Sequence, residues 1–130
     1  MAGRVRVRYA PSPTGAPHVG NIRTALFDWH FARNQGGDFV VRDEDTDQSR
    51  KVAGAVEEHL ESLRGLGLYW DEGPSVWGPC GPYHQSERLQ SYHDVTDILL
   101  RQGYAYRCYC SPERLTEIRK GQSGYDGACR

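Results

Sequence analysis

The sequence lacks a long apolar run and has no marked excess of charge of either sign. None of its hydrophobic stretches approaches the roughly 20 residues that a transmembrane helix needs. The N-terminus carries charges without the apolar centre of a secretory signal. We therefore expect a cytoplasmic protein with no membrane partner. Because the formal net charge is −1, the charge balance gives no reason to expect a broad basic surface for nucleic acid.

Internal repeats and low-complexity segments are absent as well, and cysteine is sparse. With 130 residues, 38% of them hydrophobic and 25% charged, the chain is long enough for one ordinary domain with a buried core. The four cysteines stand at positions 80, 108, 110 and 129. An even number in a secreted chain would suggest disulfides. Without an export signal, the close pair Cys108 and Cys110 suggests a metal site instead.

Strand and helix patterns alternate along the first 67 residues. Apolar and basic residues alternate over 5–9, which predicts a first strand, and helical spacing from Val19 predicts a helix that ends at the glycines 36–37. Residues 39–41 have the apolar character of a short buried strand. Apolar residues recur at helical spacing over 52–63. This β-α-β-α order predicts an α/β fold with a parallel sheet and crossover helices.

The second half of the chain changes character. Residues 68–84 are rich in turn formers and predict a long ordered loop. Helical spacing follows over 85–102, and residues 104–110 alternate in the manner of a strand. Ser111 followed by Pro112 predicts the start of another helix, because serine caps helices well and proline fits their first position.

The stretch "PSPTGAPHVGN", residues 11–21, lies between the first strand and the first helix. A helix N-terminus presents free N–H groups and a positive dipole end, which can bind phosphate where the backbone is accessible. Gly20 would allow such an approach, and His18 could donate a hydrogen bond to a phosphate oxygen. The alternative is a stiff connector with a surface histidine. These residues by themselves leave both interpretations open.

The cysteines near the C-terminus allow two interpretations. Alternation in the predicted strand 104–110 places Cys108 and Cys110 on one face, where two thiolates could chelate one ion. Tetrahedral zinc needs two more ligands, and Tyr125 and Cys129 follow a short helix that could return the chain to them. The alternative is that Cys108 and Cys110 are core cysteines and that Cys129 is unrelated to them. Cys80, which lies among glycine and proline, is interpreted as a non-ligand.

Several longer stretches together resemble one family. "APSPTGAPHVGN" and "VVRDEDTD" are similar to the signatures of the glutamyl-tRNA synthetases, which are class I aminoacyl-tRNA synthetases. In that comparison His18-Val19-Gly20-Asn21 stands where the family has its "HIGH"-type motif. Further similar stretches are "RTALFDWHFAR" (23–33), "LGLYWDEGP" (66–74), "GPYHQSERL" (81–89) and "GYDG" (124–127). The resemblance covers essentially the whole chain.

The resemblance implies ATP-dependent activation of L-glutamate to glutamyl-adenylate, with Mg²⁺ accompanying ATP, and transfer to the 3′ end of tRNA(Glu). It implies that residues 1–103 form the N-terminal part of a Rossmann-like nucleotide-binding domain. Residues 104–130 would then begin an acceptor-binding insertion with a small zinc-binding segment. The implied ATP-binding residues are Thr14, His18, Gly20 and Asn21, of which His18 and Gly20 are catalytic. The implied glutamate-binding residues are Arg8, Ser12 and Glu44.

The resemblance also bears on the cysteines. Some glutamyl-tRNA synthetases, and the related glutamyl-queuosine tRNA(Asp) synthetases, carry zinc at a C-x-C…Y-x₃-C pattern. This sequence matches that pattern with Cys108, Cys110, Tyr125 and Cys129. Four protein ligands leave no position for a reacting water, so the implied role of Zn²⁺ is structural.

One residue departs from the family. Asp43 stands where the family usually has an apolar residue, and strand alternation points it toward the interior. An unpaired buried carboxylate is costly. We therefore expect Asp43 to have a partner such as an arginine, or the strand end to be exposed.

The lysine-rich "KMSKS" signature of class I synthetases has no counterpart in these residues. We therefore expect the N-terminal portion of a longer enzyme, with little activity alone. Two alternatives stay open. One is a glutamyl-queuosine tRNA(Asp) synthetase, and the other is a non-catalytic, zinc-stabilised fragment that binds a nucleotide or tRNA.

Overall fold

A computed structural model describes residues 3–121 and 124–130, and the chain divides into two compact units. The first unit ends at Leu89, and the second begins at Gln90. The domain division after residue 103, which the family resemblance implies, stays a prediction.

The first unit confirms the predicted β-α-β-α order. Its elements are β1 (Arg6–Tyr9), α1 (Val19–Asn34), β2 (Asp38–Val41) and α2 (Ala55–Gly65), with single 3-10 turns at Gln48–Arg50 and Gln85–Arg88. The second predicted helix starts later than its apolar pattern suggested. Gly54 takes a left-handed φ of 81° immediately before it, a conformation that glycine adopts at little cost.

The two strands form a parallel sheet in which Arg8 lies opposite Val40 and Tyr9 opposite Val41. The predicted loop 68–84 partly extends this sheet beyond β2. Asp71 N donates to Phe39 O at 2.9 Å, and Val41 N donates to Glu72 O at 2.9 Å. The loop is therefore ordered by main-chain pairing with the strand, as well as by its turn formers.

The core of the first unit lies where both helices meet the sheet. Phe39 in β2 and Leu63 in α2 are fully buried, and each such side chain contributes about 1.5–3 kcal/mol by leaving water. Ala25 and Ala32 are also fully buried on α1. Since these two side chains are small, the helix backbone can pack closely against the strands. The rest of the cluster consists of Tyr9, Val41, Leu60, Leu68 and Trp70.

The second unit contains most of α3 (Leu89–Arg101), which begins at the unit boundary, and all of α4 (Pro112–Gly121). The predicted cap of α4 is confirmed, since Ser111 Oγ accepts a hydrogen bond from Arg114 N at 3.3 Å. The predicted strand 104–110 is wrong. A strand needs a neighbour to pair with, and none of residues 90–121 and 124–130 supplies one. Among residues 3–121 and 124–130, none of the helices combines the length and the hydropathy that a transmembrane helix requires.

Two glycine substitutions should show whether a glycine is needed for close packing of the backbone or only affects helix propensity. A Cβ at Gly37, between α1 and β2, would overlap Val5 O, which is backbone and cannot rotate away. We expect Gly37→Ala to lower the free energy of unfolding by about 2–3 kcal/mol. Gly65, the last residue of α2, faces open space. Gly65→Ala should be neutral or should add up to about 1 kcal/mol. Urea unfolding measures both variants, and equal midpoints would contradict the close approach of Gly37 to Val5.

Candidate functional site

The loop between β1 and α1 is anchored by hydrogen bonds to three of its carbonyls, which belong to alternate residues. The carbonyls of Pro11, Pro13 and Gly15 each accept one bond. The respective donors are Glu44 N at 2.8 Å, Val52 N at 2.9 Å and His59 Nε2 at 2.9 Å. Ser12 and Thr14, the residues between these carbonyls, are exposed. The loop is therefore fixed on the side of β2 and α2 while its hydroxyl side chains remain accessible.

His18 is the N-cap of α1, and its side chain is exposed. Its Nδ1 accepts a hydrogen bond from Gly20 N at 3.0 Å. Because an accepting nitrogen carries no proton, the neutral ring has its proton on Nε2. A Cβ on Gly20 would lie 3.3 Å from this Nδ1, so glycine gives the ring room to cap the helix. The result is an N–H donor, Nε2–H, beside the free N–H groups of a helix start.

A cavity of about 390 Å³ opens beside this loop. It brings together four of the predicted site residues, and its lining comprises Arg8, Ser12, Thr14 and Asn21 with Tyr9, Ala10, Pro11 and Thr24. Sequence reasoning missed Thr24, although it lies three residues after Asn21 and therefore on the same helix face. His18, Gly20 and Glu44 do not line the cavity. His18 and Gly20 lie at the helix start next to Asn21.

Arg8 and Glu44 are joined by an ion pair between the ends of the two strands. Arg42, which sequence reasoning missed, donates to the same Glu44 oxygen through Nε at 3.0 Å and a terminal nitrogen at 2.8 Å. Residues two apart in an extended chain share a side, and this spacing could have identified Arg42. Gln85 Nε2 lies 3.4 Å from that oxygen. The Glu44 carboxylate is thus held by two guanidinium groups.

Asp43 is buried, with 2% of its surface exposed, and its partner is a histidine where an arginine had been suggested. His84 Nδ1–H donates to the carboxylate at 3.0 Å. The backbones also pair, since Asp43 N donates to Tyr83 O at 2.9 Å and Gln85 N donates to Asp43 O at 3.0 Å. Burial raises the pKa of Asp43, and the hydrogen bond from His84 opposes that rise.

Asp45 is buried on the other side of Glu44 and is fully hydrogen-bonded. Its oxygens accept from Ser86 N at 2.8 Å, Ser86 Oγ at 2.7 Å and Lys51 Nζ at 3.0 Å. Burial alone would raise the pKa of Asp45, but these donors outweigh it and hold the pKa well below its ordinary value. Residues 83–86 therefore lie alongside 43–45, and Glu44 is positioned between two anchored neighbours.

The predicted metal ligands of the second unit lie close together. Cys110 Sγ is 3.6 Å from Cys129 Sγ, and the Tyr125 hydroxyl is 3.5 Å from Cys108 Sγ and 3.4 Å from Cys110 Sγ. Zinc–sulfur bonds of about 2.3 Å in a tetrahedron require sulfurs roughly 3.8 Å apart and sulfur–oxygen distances of roughly 3.5 Å. The three measured separations are close to these values, and the three sulfurs lie within 4.8 Å of one another. Cys80 is exposed in the first unit.

Hydrogen bonding within this cluster shifts two pKa values in opposite directions. The Tyr125 hydroxyl lowers the pKa of the Cys129 thiol to about 7, and the neighbouring sulfurs raise the pKa of Tyr125. Cys129 therefore offers a thiolate, the form that binds metal, near neutral pH.

Comparison with known proteins gives one consistent family. A sequence profile described as "tRNA synthetases class I (E and Q), catalytic domain" matches residues 4–130. The glutamate–tRNA ligase of Dehalococcoides mccartyi is 58% identical over an alignment 136 positions long, which covers 100% of this chain and 28% of the relative. The glutamate–tRNA ligase of Thermus thermophilus is 55% identical over 97% of this chain and 27% of its own length.

A solved structure agrees with these relatives. The glutamate-tRNA synthetase of Elizabethkingia anophelis superposes with a TM-score of 0.85 at 48% identity, over 92% of this chain and 24% of that one. The chain thus spans about a quarter of the length of the relatives that it matches.

The anchoring of Asp45 predicts how stability depends on pH. Because its pKa is lower in the folded state, its contribution is fully present above the ordinary value of 3.8 and is lost as pH falls below it. Ser86→Ala removes one donor, and we expect it to cost about 1 kcal/mol at pH 7. The gap from wild type should persist as pH falls below 3.8, because the lowered pKa keeps Asp45 ionised in the folded state, and it should close only where Asp45 is protonated in both folded proteins.

The control for this prediction is Ser62→Ala, which removes a hydroxyl that donates to a backbone carbonyl, Glu58 O, at 2.8 Å. Its effect should be independent of pH. Urea unfolding between pH 7 and pH 3 measures both variants. The Asp45 carboxyl, followed by NMR, should titrate at higher pH in folded Ser86→Ala than in wild type or Ser62→Ala, and an unchanged titration would show that Asp45 is not the acceptor that matters.

Proposed function

This chain belongs to the catalytic-domain family of the class I tRNA synthetases for glutamate and glutamine, and on that premise we propose that the protein containing it is a glutamate–tRNA ligase. It would activate L-glutamate with ATP and transfer it to the 3′ end of tRNA(Glu). The observation that carries the proposal is the cavity beside α1, which gathers Arg8, Ser12, Thr14 and Asn21 at a capped helix start. The names of the relatives favour this function over tRNA(Asp) modification.

ATP would bind at the N-terminus of α1. The free N–H groups and the positive dipole end favour phosphate, and Gly20 presents no side chain there. His18 Nε2–H would donate to the α-phosphate as negative charge develops on it. Thr14 and Asn21, which both line the cavity, would add polar contacts. Mg²⁺ would arrive with ATP and neutralise charge on the departing phosphates.

Glutamate would bind where Arg8 now contacts Glu44. A zwitterionic amino acid carries both charges needed to replace that ion pair. One carboxylate of glutamate would bind the guanidinium of Arg8, and its ammonium would bind Glu44. Ser12 would add a hydroxyl contact. Arg42 would keep holding the Glu44 carboxylate in place. The site would therefore exchange one ion pair for two, and the second carboxylate of glutamate would remain free to attack ATP.

The reaction follows from these positions. A carboxylate oxygen of glutamate attacks the α-phosphorus, the bond to the bridging oxygen breaks, and pyrophosphate leaves with its electron pair. The ribose hydroxyl at the 3′ end of tRNA then attacks the carbonyl of the adenylate, loses its proton, and AMP leaves. Preorganised donors such as His18 Nε2–H stabilise the charge in the first step. Because no lysine-rich loop stands in these residues, we infer that the chain alone is a poor catalyst.

We also infer that Cys108, Cys110, Cys129 and Tyr125 hold a zinc ion. The support is the donor set itself, three sulfurs and a hydroxyl at separations that suit a tetrahedron. When bound, the ion would crosslink residues 108–110 to residues 125–129 and so stabilise the second unit. With all four positions filled by protein, its role would be structural.

One prediction of this proposal concerns amino-acid binding. In the complete protein, Arg8→Ala should raise the KM for glutamate at least tenfold, because a charged hydrogen bond to a carboxylate contributes about 1.5–3 kcal/mol. The KM for ATP should change little. ATP–pyrophosphate exchange in the presence of glutamate and tRNA measures both.

The matched control is Arg50→Ala, which removes an exposed arginine paired with Asp47 outside the cavity. It should leave both constants unchanged. Equal rises in the two KM values for Arg8→Ala would count against the assigned role. Absence of exchange in the wild-type complete protein would favour the non-catalytic alternative.

The second prediction concerns zinc. Purified protein should contain close to one zinc per chain in this segment, and Cys108→Ser should lose it together with thermal stability. Cys80→Ser is the control, because Cys80 lies in the first unit and should leave the zinc content unchanged. Metal analysis by mass spectrometry measures both. An equal zinc content in the two variants would refute the site.

A further inference from the structure

His59 lies on α2 and is 3% exposed, which makes it one of the few polar side chains buried in the described part of the chain. Its Nε2 is 2.9 Å from the carbonyl oxygen of Gly15. A carbonyl only accepts hydrogen bonds, so Nε2 carries the proton and the ring is in the Nε2–H form. Nδ1 is buried and has no hydrogen-bond partner within residues 3–121 and 124–130. The imidazole therefore has a single polar contact in the described structure, and that contact is with the loop.

Ala55 and Leu63, one turn before and one turn after His59 on α2, are apolar and buried. Leu60 and Leu63 belong to the core, and Ala55 is almost completely covered. A buried nitrogen without a partner is unfavourable, and an apolar side chain of similar size would fill this position without that penalty. Packing alone thus does not account for a histidine here. The hydrogen bond to Gly15 does.

The three anchored carbonyls of the loop differ in what holds them. Glu44 N and Val52 N are main-chain donors, and side-chain substitution leaves them in place. His59 supplies the third donor from a side chain. The His59 hydrogen bond is made to Gly15, the residue after Thr14. The φ of Gly15 is 146°, a value that other residues rarely adopt. This is the point at which the loop depends on a single side chain.

We propose that His59 is a positioning residue for the ATP-binding loop, holding Gly15 so that Thr14 and the start of α1 keep the geometry that ATP needs. The assignment of ATP to this loop rests on the function proposed above. The contact between His59 and Gly15 does not, and the two can be tested separately.

The kinetic test uses two substitutions in the complete protein. His59→Leu keeps the bulk and removes the donor, and we expect the KM for ATP to rise about fivefold, the value of one hydrogen bond. The KM for glutamate should stay within twofold. His59→Gln can place an amide N–H near the position of Nε2 and should restore most of the ATP affinity. Thermal stability of His59→Leu should equal or exceed that of wild type, because the partnerless Nδ1 is gone.

Leu60→Val is the control for general damage to α2. It should lower the melting temperature and leave both KM values unchanged. If His59→Leu lost stability as Leu60→Val does, and raised the two KM values equally, His59 would be a packing residue and the proposal would be wrong. Failure of His59→Gln to restore ATP affinity would also overturn it.

Two measurements on the 130-residue chain are independent of any activity. Two-bond ¹H–¹⁵N correlation spectra should show the His59 ring protonated at Nε2 and bare at Nδ1, the resonances being identified by their loss in His59→Leu. Amide hydrogen exchange at Thr14, Gly15 and Ala16 should be faster in His59→Leu than in wild type. The opposite tautomer or unchanged exchange would disprove the contact. Should wild type show no ATP–pyrophosphate exchange, the proposed function fails while these results still decide the role of His59.

Discussion

The parallel pairing of β1 with β2 sets Tyr9 opposite Val41, so both strands end at the same edge of the sheet. Everything in the candidate site depends on that register. It places Arg8 and Glu44 within contact, and it brings Glu44 N to the carbonyl of Pro11. A shift of either strand by one residue would turn Arg8 to the opposite face. Ligand binding outside the carboxyl ends of parallel strands is the general rule for open α/β sheets.

The acidic residues 43–45 have two different roles, since two of them anchor the backbone and one belongs to the candidate site. Asp43 and Asp45 are buried and anchored to residues 83–86, and Glu44 between them is only partly covered. Alternate positions of an extended segment face opposite ways, so the flanking carboxylates fix the backbone while the middle one points to the two arginines. The long ordered loop after α2 thus contributes to the site by anchoring the residues on either side of Glu44.

Much of the fold was predictable, because apolar periodicity reports burial. Strand and helix positions in the first unit followed from it, and long family-like motifs indicated Arg8, Ser12, Thr14 and Asn21. The strand at 104–110 was predicted wrongly, since alternation cannot show whether a pairing partner exists. The two-residue spacing from Glu44 could have identified Arg42, but His59 and His84 gave no such signal. Each acts through a contact with a residue that is distant in sequence or lies across a turn, and only folding reveals such neighbours. The roles of the site residues stay predictions.

The prolines of the loop have one more consequence. Pro11 and Pro13 have carbonyls that are already engaged, and neither has an N–H to offer. A segment that exposes alternating donors and acceptors invites another strand to add to it, which is a common route to aggregation. This loop lies at the end of the β1–β2 sheet, and at its two prolines it offers an incoming strand neither an N–H nor an unengaged carbonyl. The same residues that hold the loop rigid therefore also protect an accessible cavity from being closed by a neighbouring chain.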